Sequence, residues 1–272
     1  MNVRRLSVIL IAVAFVLIAL FSCVGLTAVK KIDVKFAVSA EQDAETIQGV
    51  LDQYIGKNIL FIGEEDVRNS LKGYHKLEVL SVDKRFPNIL TVEIKERREV
   101  YDIEYNGKVY VATENGFIIN SYTGHAEESR ERILLDLGEL EITDVKLGSN
   151  IKTDNDTVLS KVFDIAKKVN LTDCIKSISI SKESAGVGTV SGYEYDVNFK
   201  LHTGVEICVW DLMLDGENKG VKGFEIYDTE ATDYQKRFGQ IQVIYANIDG
   251  VPTLRVLHNY DGKDAVLFES AL

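Results

Sequence analysis

The sequence predicts an α+β protein in which two folded domains follow an apolar N-terminal segment, and three observations predict it. The chain begins with a long uncharged run. About 65 residues then show, in order, the periodicities of a strand, two helices and two strands. From Tyr101 onwards, short apolar runs alternate with turn dipeptides, which is typical of a mostly antiparallel β domain.

The uncharged run extends from Leu6 to Val29 and contains 24 residues. At about 1.5 Å per residue, a helix of that length crosses about 30 Å of hydrocarbon with some tilt. Two arginines precede the run and two lysines follow it, so the positive-inside rule is almost balanced. Because the segment before Leu6 is too short to be a domain, we expect a cytoplasmic tail at residues 1–5, a transmembrane helix at residues 6–29 and an extracytoplasmic remainder.

Two other interpretations of the N-terminus stay open. A cleaved signal peptide normally has an apolar core of about 7 to 15 residues, which is shorter than this run. A lipoprotein is the other interpretation, because Leu20-Phe21-Ser22-Cys23 resembles a lipobox with Cys23 as the acylated residue. Phe21 is bulky at a position that usually holds a small residue, and the apolar run continues past Cys23. These two features favour a retained membrane helix.

The first folded domain is predicted at residues 31–98. Alternation through residues 32–38 indicates a half-buried strand, and the helix that follows ends near Gly56. A second short helix carries its apolar stripe at Val67, Leu71 and Tyr74. After a turn that contains proline, the last strand alternates, with Leu90, Val92 and Ile94 facing inward and Thr91, Glu93 and Lys95 facing outward. Two helices on one face of a small sheet can bury one core, which makes an α+β domain.

The second domain is predicted as a β domain at residues 99–257. Asn106-Gly107 between two apolar runs is a strong hairpin signal, and Asn115-Gly116 marks a second turn. One helix is predicted at residues 154–170, while residues 211–238 are polar and irregular with room for another helix. We expect the tail at residues 258–272 to be loosely ordered, because chain ends often are.

Composition limits the class of partner. The net charge is −11 and the pI about 5.0, which disfavours nucleic acid because phosphate binding needs a basic surface. Only Cys174 and Cys208 lie beyond the apolar run, so one disulfide is possible, although such cysteines are more often small buried residues.

The sequence offers little that resembles a catalytic site. The four histidines are scattered, and no nucleophile elbow or phosphate-binding loop occurs. Asp211 and Asp215 near Trp210 could form a carboxylate pair for glycan chemistry, but exposed carboxylates are usually only solvated. We therefore expect a protein that is not an enzyme and that has no cofactor, metal or small-molecule substrate.

Several motifs between residues 32 and 97 resemble the FtsQ/DivIB family of bacterial cell-division proteins. The motifs are Gly56-Lys57-Asn58-Ile59-Leu60-Phe61, the segment from Val79 to Asp83, Arg85-Phe86-Pro87-Asn88-Ile89-Leu90 and Val92-Glu93-Ile94-Lys95-Glu96-Arg97. The resemblance implies a short cytoplasmic tail, one membrane helix, a POTRA domain and a β domain. It also implies a non-catalytic divisome scaffold of the cell membrane that acts at the division septum.

In the resembling family, the far end of the β domain binds two small division proteins, of the FtsB/DivIC and FtsL type. An unpaired sheet edge offers free N–H and C=O groups, to which a partner can add a strand. The positions that would carry this binding are Ile241, Val243, Tyr245, Leu254, Arg255 and Val256. An alternative is a membrane- or lipid-anchored envelope domain that binds a glycan or a secreted protein, with Trp210 beside Tyr193, Tyr195 and Tyr227 as a stacking face.

Overall fold

The chain divides into two compact units. The structure is a computed structural model that describes residue 13 and residues 26–37, 44–126, 131–169, 174–185, 192–234, 240–248, 251–260 and 263–271. One unit ends at Arg97 and the other begins at Arg98, within one residue of the predicted domain boundary. Each unit encloses its own hydrophobic core.

The N-terminal unit has the predicted order of strand, helix, helix, strand and strand. Its elements are β1 (Lys31–Phe36), α1 (Ala44–Leu51), α2 (Glu64–Ser70), β2 (Leu77–Arg85) and β3 (Ile89–Glu96). The sheet order is β1-β3-β2, with β1 parallel and β2 antiparallel to the central strand β3. The helices are short, and a 3₁₀ turn at Asp52–Tyr54 continues the first of them.

The period-2 pattern of β3 sets the core of this unit. Leu90, Val92 and Ile94 are fully buried and share a cluster with helix residues such as Ile47. The prediction that Thr91 faces outward is wrong, since this side chain is only 2% exposed. β3 is the central strand of its sheet, so a short side chain on its second face is shielded by neighbours on both sides. Gly56, at φ +82°, occupies the left-handed conformation that ends the first helical segment.

The last residues of the predicted membrane span belong to this unit. Val29 is 1% exposed, its N–H donates to the Lys57 carbonyl and its own carbonyl accepts from the Gly56 N–H. The Ile59 N–H donates to the Thr27 carbonyl at 2.9 Å. Thr27 and Val29, at the end of the predicted span, are therefore part of the folded domain, because apolar residues that pack in a protein core look the same in sequence as those that face lipid.

The rest of that predicted span, apart from Val13 and Leu26, lies outside the described residues. Among the residues that are described, no helix is long and apolar enough to cross a membrane.

The C-terminal unit is built on one large sheet. Ten strands form it in the order β15-β14-β13-β12-β11-β10-β7-β4-β5-β6, and six of its nine neighbouring pairs are antiparallel. Two further strands, β8 and β9, pair only with each other. The strands are β4 (Tyr101–Tyr105), β5 (Lys108–Ala112), β6 (Ile118–Thr123), β7 (Ile133–Asp136), β8 (Ile142–Asp144), β9 (Lys152–Thr153), β10 (Ile175–Ala185), β11 (Gly192–Leu201), β12 (Glu206–Val209), β13 (Gln240–Ile248), β14 (Val251–Tyr260) and β15 (Lys263–Ala271).

Two helices contribute to the core of this unit. The predicted helix is α3 (Asp156–Val169), and the stretch described from sequence as irregular contains the longer α4 (Gly216–Tyr234). Glycines allow the close approach of α4, because a Cβ on Gly220 would lie 2.7 Å from the Ile165 side chain. A Cβ on Gly223 would lie 2.8 Å from the side chain of Val243 on β13. The bounds of α4 were not predicted because its sequence is polar, and its packing depends on small residues and not on a clear apolar stripe.

The predicted turns are present. Asn106 and Gly107 have φ of 51° and 72°, the double positive φ of a type I′ hairpin, between β4 and β5. Gly116, at φ +74°, forms the turn before β6, and it also lies against the Phe163 ring, where a Cβ would be 2.5 Å away. Gly204, at φ +89°, is placed between β11 and β12.

Candidate partner-binding surface

The six residues predicted to bind partners lie on two interior strands. Ile241, Val243 and Tyr245 are on β13, and the other three are on β14. β13 is flanked by β12 and β14, and β14 is flanked by β13 and β15. The expectation that these strands form the free margin of the sheet is therefore wrong, because a later strand of the same chain covers β14.

Strand β15 was missed because the C-terminal tail was expected to be loosely ordered. The structure corrects this prediction: β15 pairs with β14 from Tyr260↔Lys263 to Thr253↔Ala271, with a bulge near Val256. The strands are separated in sequence only by Asp261-Gly262, and Val266, Leu267 and Phe268 follow. Asp-Gly between apolar runs is a hairpin signal. That dipeptide was the signal that could have revealed the last strand.

Three of the six residues are part of the hydrophobic core. Ile241, Val243 and Val256 have no exposed surface, because the α4 helix covers that face of the sheet. Leu254 is half-buried and packs against the same core. The side chain of Tyr245 lies outside the described part of the structure.

Arg255 connects β14 to the end strand. Its Nε atom lies 3.1 Å from the Glu269 carboxylate on β15, and its side chain is 27% exposed. On the same strand, Leu267 and Phe268 pack against the core, and the Lys222 ammonium lies 4.1 Å from the centre of the Phe268 ring. These contacts attach β15 to the sheet by side chains as well as by backbone hydrogen bonds.

One margin of the large sheet is the outer side of β15. No described strand lies beyond it, and Val266 on this strand is 50% exposed. An end strand presents a row of backbone N–H and C=O groups to solvent, which another chain can pair with. The other margin is β6, at the opposite end of the strand order.

Charged groups with perturbed pKa values are dispersed and structural. Burial raises the pKa of Asp102, whose carboxylate accepts two hydrogen bonds, at 2.8 and 2.9 Å, from the Arg132 Nε group. Arg132 also contacts Glu99 at 2.8 Å. Within the described residues, no three histidine, cysteine or acidic side chains are grouped as a metal site would require.

The buried Lys219 supports the loop that follows β12. Its ammonium donates to the carbonyls of Trp210 and Asp211, the latter at 2.6 Å, and burial lowers its pKa to about 8. Asp211 and Asp215 both have positive φ, and the Asp211 N–H donates to the Asp196 carboxylate at 2.7 Å. The two aspartates suggested as a catalytic pair are thus turn residues beside a buried cation.

The alternative stacking face does not form as a surface. Trp210 is 47% exposed, but Tyr195 and Tyr227 are each only 6% exposed and belong to the core. Aromatic residues at strand and helix spacing therefore pack inward here, which removes the observation that favoured a glycan-binding domain. The side chain of Tyr193 lies outside the described residues.

The N-terminal unit is a POTRA domain. The family model of the POTRA domain of FtsQ type matches residues 28–97, from one residue before the buried Val29 to the end of the first unit. The protein therefore belongs to the class in which such a domain is followed by a β domain.

Two cell-division proteins are similar to most of the chain. They are the proteins named DivIB from Clostridium botulinum strain Hall and strain Loch Maree, each 21% identical, over 82% of this chain and 87% of the relative. The POTRA match and these two relatives together support the resemblance of the chain to the FtsQ/DivIB family of cell-division proteins. Its role is in cell division.

Proposed function

We propose that the protein is a single-pass membrane scaffold that holds other division proteins at the septum. Residues 1–5 are its cytoplasmic tail, and residues 6–26 form its membrane helix. This shortened span still contains 21 residues, about the number that a transmembrane helix needs. Both folded units then lie outside the cytoplasm.

The observation that carries the proposal is the outer side of β15, on which no described strand pairs, at the end of a ten-stranded sheet. A partner segment that adds a strand there gains main-chain hydrogen bonds along Lys263–Ala271. The partners proposed are ectodomain segments of the FtsB/DivIC and FtsL type. Exposed Val266 would provide an apolar contact beside those backbone bonds.

The six residues chosen from sequence then have two different roles. Tyr245, Leu254 and Arg255 remain candidates for partner contact, because tyrosine and arginine are frequent at interface hot spots and Arg255 reaches β15 through Glu269. Ile241, Val243 and Val256 would act indirectly, since they are buried and fix the position of the strands.

Site-specific photo-crosslinking in growing cells tests the edge directly. A benzophenone amino acid replaces Val266 on β15 or, as a matched control, exposed Thr123 on β6 at the opposite margin. The expected result is capture of a small single-pass division protein from position 266 and no such capture from position 123. Equal capture from both margins, or none from position 266, overturns the proposal.

Substitution tests the side chains. Arg255→Ala and Tyr245→Ala are each expected to reduce recovery of the captured partner in a pulldown, because the loss of a hot-spot side chain costs more than about 1 kcal/mol, or roughly fivefold in affinity. Unchanged recovery with both variants would show that partner binding does not use these side chains.

A further inference from the structure

Three segments of the POTRA domain meet at one end of its sheet. They are residues 26–31, 55–61 and 84–88, together named here the entry end. The Ile59 N–H donates to the Thr27 carbonyl at 2.9 Å, and the Lys30 N–H donates to the Asn88 carbonyl at 2.9 Å. Lys84 reaches the Leu60 carbonyl at 3.4 Å. The strand register agrees, because β1 and β3 begin at this end and β2 finishes there.

The entry end exposes an unusual amount of apolar side chain. Among the described residues from 26 to 97, Leu80 is the one large hydrophobic residue of comparable exposure that lies elsewhere, at 39%. A folded domain normally buries such side chains or uses them in a contact. Five exposed hydrophobic residues belong to the entry end: Leu26 at 60%, Ile55 at 50%, Leu60 at 54%, Phe61 at 83% and Phe86 at 61%.

The charges of the entry end are all positive. Its three segments contain no aspartate or glutamate, and they contain five cationic residues, Lys30, Lys31, Lys57, Lys84 and Arg85. Just outside these segments, the Asp33 carboxylate lies 2.6 Å from the Lys31 ammonium. The distribution contrasts with the remainder of the protein, since residues 98–272 carry 18 basic and 30 acidic side chains.

We propose that the entry end lies in the headgroup layer of the membrane, with its apolar side chains directed towards the acyl chains. The inference rests on the membrane helix under the proposed function. Thr27 is already hydrogen-bonded within the domain, so no linker separates the entry end from the proposed membrane helix at residues 6–26. The entry end must therefore lie within a few ångströms of the bilayer surface.

The chemistry of this end matches an anionic lipid surface. Amphipathic surfaces with hydrophobic side chains and lysines bury their apolar part about 5–10 Å into the interface. Cations near the surface are attracted to anionic headgroups, and this attraction acts locally within a Debye length. The membrane contact then gives the POTRA domain a second attachment beside its covalent one.

Tryptophan quenching in proteoliposomes tests this placement. The full-length chain carries Trp210→Phe, which removes its one native tryptophan, together with Phe61→Trp. The vesicles combine phosphatidylcholine with phosphatidylglycerol, and brominated acyl chains act as the quencher. The expected result is a blue-shifted emission from position 61 and a loss of that emission in brominated vesicles. Leu80→Trp in the same background is the matched control, and its emission is expected to stay unquenched.

Flotation with the vesicles distinguishes failure of the anchor from failure of the contact. If the protein does not float with the vesicles, the proposed membrane helix is refuted, and the membrane contact that depends on it is refuted as well. Protein that floats but is quenched equally weakly at positions 61 and 80 overturns the contact alone. The membrane contact is also overturned if brominated lipid does not quench the tryptophan at position 61 and its emission shifts to the blue only after a division protein is added. In that case the entry end binds protein and not lipid.

A charge exchange tests the cationic part. Lys57→Glu with Lys84→Glu is expected to abolish the quenching at position 61, since both lysines belong to the entry end. Lys72→Glu with Lys76→Glu makes the same change in net charge near the start of β2, at the other end of the sheet, and is expected to leave the quenching unchanged. Equal effects of the two pairs would overturn the local attraction.

Discussion

At the scale of single residues, the two cysteines of the C-terminal unit have opposite environments. Cys208 on β12 donates to the Asn198 side chain at 3.3 Å and accepts from Gln240 at 2.8 Å, and burial raises its pKa to about 12. Cys174 is exposed just before β10. Because β11 lies between β10 and β12, and Cys208 is level with Ser179 rather than with Cys174, the cysteines are more than about 10 Å apart, beyond the roughly 7 Å limit for a disulfide.

This difference predicts selective alkylation. In a Cys23→Ser variant at pH 8, we expect Cys174 to react rapidly with a maleimide and Cys208 to react only after denaturation, because thiolate is the reactive form. Peptide mass mapping of the labelled protein measures both. Cys174→Ser is the control, which should remove the fast phase. Rapid labelling of Cys208 in the folded protein would contradict its buried environment.

A second prediction at this scale concerns pH and Lys219. Its folded pKa of about 8 lies below the ordinary lysine value of 10.5, so above pH 8 the unfolded chain binds more protons than the folded one. Stability relative to a Lys219→Met variant is therefore expected to rise with pH between about 8 and 10.5, by at most about 1.4 kcal/mol per pH unit.

Urea unfolding of both proteins at several pH values measures this difference, and subtraction of the variant cancels the other titrating groups. A difference that is flat or that falls above pH 8 would show that the folded lysine keeps its ordinary affinity for the proton.

At the scale of elements, the packing of α4 depends on glycines. Gly223 faces Val243 and Ile207 so closely that an added methyl group requires both neighbours to move. Gly223→Ala is therefore expected to lower the free energy of unfolding by about 1–3 kcal/mol, although alanine favours a helix. Urea unfolding monitored by circular dichroism measures this decrease in the free energy of unfolding.

Gly49 in α1 is the matched control, since a Cβ there meets nothing within 4 Å. Gly49→Ala is expected to stabilise its unit by about 0.5–1 kcal/mol, which is the usual gain in a helix interior. If both substitutions stabilised the protein, helix propensity would outweigh packing, and the close approach of α4 to the sheet would be refuted.

Elements with local signals could be predicted, and those with non-local partners could not. The Asn106-Gly107 hairpin and the alternation of Leu90, Val92 and Ile94 are encoded within a few residues. By contrast, β12 pairs in parallel with β13 across the whole of α4. No short pattern specifies that pairing. It decides which strands are interior and therefore where the partner-binding edge lies.

At the scale of the whole molecule, charge is divided unequally between the two units. The segment from Leu26 to Arg97 carries 11 basic and 12 acidic side chains, so the net charge of −11 resides almost wholly in the C-terminal unit. A nearly neutral POTRA domain suits a position beside an anionic bilayer, whereas an acidic unit suits solution.

The proposed topology makes a prediction for the complete chain. We expect a C-terminal fusion to alkaline phosphatase to be active, because this enzyme becomes active outside the cytoplasm. A C-terminal fusion to green fluorescent protein should be dark, because that protein does not become fluorescent when it is exported unfolded. Arg4→Ala with Arg5→Ala is the control, expected to reduce phosphatase activity because it removes the positive charges that favour a cytoplasmic N-terminus. A fluorescent protein fusion that is bright, together with a phosphatase fusion that is inactive, would show that the C-terminus lies in the cytoplasm and would contradict the proposed orientation.

The sequence by itself determined the order of the elements in the N-terminal unit, the principal turns, the α+β class and the family resemblance, because these depend on periodicities and motifs that extend over a few residues. Only the tertiary structure decided that Val29 is core, that β15 and not β14 ends the sheet, and that three separate segments form the basic apolar entry end. Each of these depends on which distant residues become neighbours. An apolar residue has the same hydrophobic character in lipid, in a core or at an interface, and only its neighbours distinguish the three.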